Sequence, residues 1–219
     1  MEVAEAVLIR AYEPRDREAV RQLCCETADL GKPIEQFFDD REIAADLLTR
    51  YYTDEEPRSL VVAESAGRIV GYVTGCLDSR RYWRLMAQRI IPRAFLRSLL
   101  RGTWCSMKTW RLVRIGITVW LVAGRRRDIP LERYPAHLHI NLRPEVRGHG
   151  VGRLLVERFL DQARTAGAPG AHVAVSEENP LACRFFERLA FQPLGRYPMI
   201  RPKPGVDQRT WTRIYGKTL

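Results

Sequence analysis

Apolar positions along the chain fall into strand and helix periods that alternate with punctuation. VLIRAY (7–12) carries the short alternating pattern of a first strand. Glu13-Pro14 then open a stretch, PRDREAVRQLCCETA, whose Ala19, Val20, Leu23 and Cys24 fall on one helical face. A second helix is predicted after Asp39-Asp40, through EIAADLLTRYY. SLVVAE (59–64) and RIVGYVTGCL (68–77), joined by a polar turn at 65–67, form a predicted hairpin. HLHINL (137–142) and AHVAVS (171–176) are two more strands, separated by a helix over 149–166 that stops at Gly167. PLACRFFERLAF is a short helix, and the tail through RTWTRIYGK supplies one or two last strands. This order predicts an α/β (α+β) domain over 1–219, a mixed six- to seven-stranded sheet with helices on both faces. Residues 79–130 stand apart from it as a helical insertion.

Composition narrows the class. A chain of 219 residues that is 46% hydrophobic can bury a sizeable core. The N-terminus has acidic residues and no long apolar run, so no secretory leader is expected there. The charge-free run IGITVWLVAG has half of the roughly 20 residues that a membrane span needs. Five cysteines, two of them adjacent at 24 and 25, have no metal-ligand spacing, so free thiols in a reducing cytoplasm are expected and no metal. The net charge of +10 is local: residues 79–127 hold 13 Arg and Lys without one Asp or Glu, and the rest of the chain is near −3.

The first chemical signal is RGHGVG, residues 147–152, between a strand and a helix. A helix start offers unpaired N–H groups and a partial positive charge. Glycines there let phosphate oxygens approach the main chain and supply positive φ. A tight turn alone needs one glycine; three point to a phosphate. A P-loop is excluded because Arg153-Leu154 stand where Lys-Ser/Thr is required. The G-x-G-x-G spacing also differs from the dinucleotide fingerprint.

Arg147-x-x-Gly150-x-Gly152, following a strand that ends in Leu-Arg-Pro-Glu, resembles the pyrophosphate loop of GNAT-superfamily N-acetyltransferases. Downstream, Asn179-x-x-Ala182-x-x-Phe185-Phe186 resembles their second motif, and the element order is similar too. YPAHLHINLRPEVRGHGVG is most similar to the acetyltransferase-like C-terminal domain of O-GlcNAcases and its bacterial relatives. The resemblance implies acetyl-CoA as co-substrate and direct transfer of acetyl to an amine of a small molecule or protein. It implies that the main chain of Arg147, Gly148, His149, Gly150, Val151 and Gly152 holds the pyrophosphate. The backbone of Leu142 and Arg143 would pair with the pantetheine arm, while Asn179, Ala182 and Phe186 would lie along it.

A lysine-like amine is protonated at pH 7, and removing that proton costs roughly 4–5 kcal/mol. A base must therefore face the acceptor. His137 and His139 share one strand face with Asn141, and histidine titrates near neutrality. Asp78 and Glu177, at the ends of neighbouring strands, are the other candidates. In the family a Tyr commonly stands at the place of Phe186 and protonates the leaving group, which a phenyl ring cannot do. Tyr134 and Tyr197 are possible substitutes. The alternative reading is a catalytically weak or inactive acyl-CoA-binding module.

Four of the five tryptophans lie in the basic insertion, where Arg89, Arg93, Arg97 and Arg101 recur every fourth residue beside Ile90, Ile91, Phe95, Leu96, Leu99 and Leu100. Pro92 is placed to start a helix. The segment is expected to act as a lid that packs its apolar face on its own domain, or as a homodimer contact. Membrane-surface contact through 82–122 is the next reading, and nucleic acid is disfavoured.

Overall fold

A computed structural model describes residues 7–28, 30–36, 38–103, 106, 108, 110, 114, 129–203 and 206–219. Strand β1 (Leu8–Ala11) leads through a 3-10 turn into α1 (Arg17–Thr27), followed by α2 (Arg41–Arg50). Asp40 caps α2 by accepting from the Ile43 N–H, and α2 runs on into a π-turn at Tyr51–Glu55. β2 (Val61–Ser65) and β3 (Arg68–Cys76) form the hairpin. The basic segment opens with α3 (Ser79–Leu85), a π-turn over Met86–Ile90 and α4 (Ile91–Leu100), with Pro92 in the first turn of α4 as expected. Its remainder up to residue 128 lies largely outside the described residues.

The second half contains β4 (Ala136–Leu142), α5 (Val151–Thr165), β5 (Gly170–Ser176), α6 (Pro180–Arg188), β6 (Gln192–Lys203) and β7 (Val206–Thr218). The seven strands lie in the order β1-β2-β3-β4-β5-β7-β6. Every pairing is antiparallel except β4 with β5.

Period-2 alternation sorts each strand between two cores. Val61 and Ala63 of β2, Val73 of β3 and Leu138 of β4 bury on one face against Leu155, Val156 and Phe159 of α5. Val62 of β2, Tyr72 of β3 and the preceding Leu60 bury on the other face with Val20 and Leu23 of α1, Tyr51 and Tyr52. At about 1.5–3 kcal/mol per buried large apolar side chain, these two layers supply the main drive to fold.

The sheet parts in its middle. β4 pairs with β3 along its length, from Cys76 opposite His137 to Gly71 opposite Leu142. It pairs with β5 only at Ala136 opposite Ala171 and His137 opposite His172. Beyond His137 the two parallel strands diverge, leaving a cleft floored by their open edges. Ala174, in the middle of a central strand, is solvent-exposed there.

Candidate active site

The glycine loop stands at the mouth of this cleft. Gly148 and Gly150 both have φ +81, the left-handed region, and an added Cβ at either would meet nothing within 4 Å. The backbone conformation requires glycine, while the space beside it is open for a ligand. Gly150 is the N-cap of α5. Gly152 has a different role: its missing side chain lets α5 sit on β4, where a Cβ would lie 3.2 Å from Leu142 and 3.4 Å from Phe185. Val151 turns its side chain into the core, and its N–H belongs to the free first turn of α5. His149 and Arg147 are exposed. The Arg147 guanidinium donates to the Leu142 carbonyl through Nε at 3.1 Å and Nη2 at 2.8 Å.

β4 register decides which amides face the cleft. The Arg143 N–H donates to the Val70 carbonyl of β3 at 2.8 Å, and its guanidinium pairs with Glu26 at 3.0 Å. Arg143 is therefore turned away from the open edge, and by alternation Leu142 and Ile140 present their backbone to it. Ile140, which the sequence did not single out, takes the place expected of Arg143.

His137, His139 and Asn141 share the face opposite Leu138, as the alternation predicted, and differ sharply in environment. His137 is buried, with Nε2 3.0 Å from the Tyr52 hydroxyl and Nδ1 2.7 Å from Ser79 Oγ. Ser79 donates its proton to the Pro135 carbonyl at 2.6 Å, so it accepts from Nδ1–H, and Tyr52 donates to Nε2. Tyr82 completes the cluster. Its ring stacks on that of Tyr52 at 5.8 Å and lies 4.7 Å from His137. Burial, with the neighbouring His139 and His172, holds the His137 pKa well below the usual histidine value. The ring is a neutral fixture.

The His139 ring has no hydrogen-bond partner among the described residues, and it lies 5.8 Å from that of His137 and 6.0 Å from Tyr52. Surrounding protein, then nearby His172, push its pKa down to about 4. Its side chain is nevertheless open to water in the cleft, which restores part of the charged form's solvation. The imidazole is neutral at pH 7. Asn141 donates to Thr27 Oγ1 at 2.6 Å, tying β4 to the end of α1.

The carboxylates are committed elsewhere. Asp78 caps α3, accepting from the N–H groups of Arg80 and Arg81. Glu177 accepts from Arg213 Nε at 2.7 Å. Asn179 caps α6 by accepting from the Ala182 N–H at 3.0 Å, which leaves its amide NH2 to donate. Phe186 is 2% exposed, wedged in edge-to-face contacts with Phe185 and Phe191. Of the substitute tyrosines, Tyr134 packs over the backbones of Gly170 and Gly216, at the end of the sheet away from the glycine loop. Tyr197 pairs across to Thr212, at the cleft end of the sheet, and is buried. Tyr52, Tyr82 and Ser79 escaped sequence reasoning, because 85 residues separate Tyr52 from His137 and only the β3–β4 register brings Ser79 to it.

A mixed seven-stranded sheet, parted beside a glycine-opened helix, is the fold of the GNAT acetyltransferases, and this chain has it. Residues 121–191 match the Acetyltransferase (GNAT) family, a segment that begins outside the described residues at 121–128. The solved structure SsHAT is 28% identical, with a TM-score of 0.73 over 97% of this chain and 98% of its own. A Drosophila melanogaster polyamine N-acetyltransferase that forms N-acetylagmatine shares the fold at 16% identity, TM-score 0.62, covering 98% of this chain and 100% of its own. Salmonella typhimurium yncA, solved with its cofactor acetyl-CoA, does so at 15% identity and TM-score 0.59, covering 98% and 94%. The peptidyl-lysine N-acetyltransferase YjaB of Salmonella typhimurium is 40% identical over 53 residues, 24% of this chain and 33% of YjaB. That match spans a third of the relative's length.

Proposed function

We propose that the chain is a single-domain N-acetyltransferase that takes acetyl from acetyl-CoA to an amine of a small molecule or protein, with His139 as the base. The observation that carries this reading is the cleft itself. β4 leaves β5 immediately after His137, and the next residue on that face, His139, has no partner on β5 and is solvent-open in the gap. The residues fit acetyl-CoA by their chemistry. Open space beside Gly148 and Gly150, with the free N–H groups of the first turn of α5, suits a pyrophosphate. The open edge of β4 at Ile140 and Leu142 suits an extended amide-bearing arm, and the Asn179 amide can donate to it. Arg147, now on the Leu142 carbonyl, is one side-chain rotation from the phosphates.

Acetyl-CoA supplies an activated acyl thioester; the protein must deliver an uncharged amine to it. A neutral imidazole open to cleft water can pass the ammonium proton along a water chain to solvent, and general-base assistance of this kind is worth about 10²–10⁴ in rate. His137, held between Tyr52 and Ser79, fixes the strand face and the rings against which His139 rests. Phe186 offers no proton, so the proton collected on His139 serves the departing sulfur through water or directly. YPAHLHINLRPEVRGHGVG also supports a likeness to the acetyltransferase-like domain of O-GlcNAcases. A reducing cytoplasm suits the buried free thiols Cys24, Cys25, Cys76 and Cys183.

The test pairs calorimetry of CoA and acetyl-CoA binding with thiol-release assays on a panel of polyamine, lysyl-peptide and arylalkylamine acceptors. Turnover that falls at least about a hundredfold in His139→Ala, with CoA affinity retained, is expected. CoA binding without turnover on any acceptor would favour the non-catalytic module, and no binding at all would end the reading.

A further inference from the structure

α3, the π-turn and α4 form one continuous helical rod from Ser79 to Leu100. The rod is mounted with its usual faces exchanged. Against α2, α4 buries two small residues, Ala94 and Ser98, in line with Ile90. Its cations do the anchoring: Arg97 pairs with Asp46, Arg101 reaches Asp40 at 2.9 Å, and Arg89 meets Glu55 at 3.5 Å. The acceptors are partly or wholly buried on α2 and its π-turn. The large side chains point outward. Ile91, Phe95 and Leu99 occupy one i, i+4 row, with Leu96 and Leu100 beside it, and all five are exposed, from 39% at Leu99 to 79% at Leu100. Trp83 stands 47% exposed farther along the rod. Single exposed apolar residues are ordinary; two adjacent rows over about 15 Å of helix are not.

We infer that this face is a docking surface for an anionic membrane, on which the rod lies in the plane of the interface. Charge complementarity selects the occupant. Residues 79–103 contain no acidic side chain, and Arg81, Arg84 and Arg93 are exposed with no acidic partner among the described residues. A second copy docked rod to rod would set these unpaired cations against each other across a low-dielectric contact, with no carboxylate on either rod to offset them. Lipid phosphates meet the same cations favourably, and the headgroup–acyl boundary accepts Trp, Phe and Leu. The net charge of +10 attracts the whole chain toward such a surface. No helix among the described residues is long and apolar enough to cross a membrane, so the rod would lie on the bilayer and not span it. The inference is independent of the acetyl-transfer reading, because its residues lie outside the cleft.

Flotation of the purified full chain with phosphatidylglycerol vesicles and with phosphatidylcholine vesicles tests it. Binding to the anionic vesicles is expected, weakening as salt rises, with about tenfold or more lower partition into the neutral ones. The double variant Phe95→Glu/Leu99→Glu should lose about tenfold or more of that partition with an unchanged melting temperature, since both side chains are already exposed. Arg84→Gln and Arg93→Gln should each lose about fivefold. Absence of partition into anionic vesicles, equal partition into neutral ones, or partition that survives the double variant would overturn the inference. So would loss of self-association in that variant by sedimentation velocity, which would assign the face to a second copy.

Discussion

The claim that Gly150 serves a ligand, over and above its own turn, can be isolated by comparison with Gly67. Both have positive φ, +81 and +71, and an added Cβ at either finds nothing within 4 Å. Gly67→Ala in the β2–β3 hairpin and Gly150→Ala at the N-cap of α5 therefore carry the same intrinsic penalty, the left-handed backbone of an L-residue, about 1–2 kcal/mol. In a chain of 219 residues that lowers the melting temperature by about 2–8 °C in each case, at about 2–4 °C per kcal/mol. Their effects on the coenzyme diverge. At Gly150 the methyl group enters the space that a diphosphate would fill, or the loop twists to relieve strain. Either change removes one hydrogen bond to a charged oxygen, worth about 1.5–3 kcal/mol. At 1.4 kcal/mol per decade this is a loss of about 10- to 150-fold in CoA affinity. Isothermal titration of CoA into the two variants and the parent, alongside thermal melts, separates the effects. Gly150→Ala within about threefold of the parent for CoA, or Gly67→Ala losing as much affinity, would refute the assignment of the loop to phosphate.

Two further outcomes follow from buried charge. Asp46 is 3% exposed and receives Arg21, itself 4% exposed, and Arg97, so Asp46→Ala leaves a buried guanidinium with only the exposed Glu18 and Glu42. It should cost about 3–5 kcal/mol in urea unfolding, whereas Arg97→Ala, which removes a half-exposed partner, should cost under about 1 kcal/mol; similar losses for both would contradict the hub. His137 is neutral in the folded state with its pKa depressed, while in the unfolded chain it titrates near 6.5. Below pH 6.5 the unfolded state binds more protons, so stability present above that pH falls as pH drops, by up to about 1.4 kcal/mol per pH unit from this ring. Urea midpoints from pH 7 to 5 should show the slope, and His137→Gln should reduce it, the remainder coming from His139, whose pKa is also depressed; an unchanged slope would mean that the His137 ring is not a proton acceptor.

Much of this site was legible because it is local. HLHINL sets His137, His139 and Asn141 on one face by parity alone, and RGHGVG announces a helix start that needs bare backbone. What escaped depends on register between distant segments. Nothing near Tyr52 signals His137; the β3–β4 register and the π-turn after α2 place them together. Whether the amide of Arg143 or Ile140 faces the cleft turns on which edge of β4 meets β3, which one strand's pattern does not state. The amphipathic period of α4 was plain, but its orientation was not. A lid packing its apolar face inward, or a homodimer contact, was the expectation; among the described residues the apolar face of α4 points outward, which goes against the lid. Carboxylates on α2, far earlier in sequence, draw the arginines in, and Ala94 and Ser98 let the helices approach.

The parting of the sheet bears on how the molecule holds together. Two residue pairs stitch β1–β4 to β5–β7 along their shared edge, so the sheet has a built-in line of weakness at its centre. Amide exchange should divide along it, each half opening with its own free energy. A molecule lodged in the gap would act as mortar, making the halves open together.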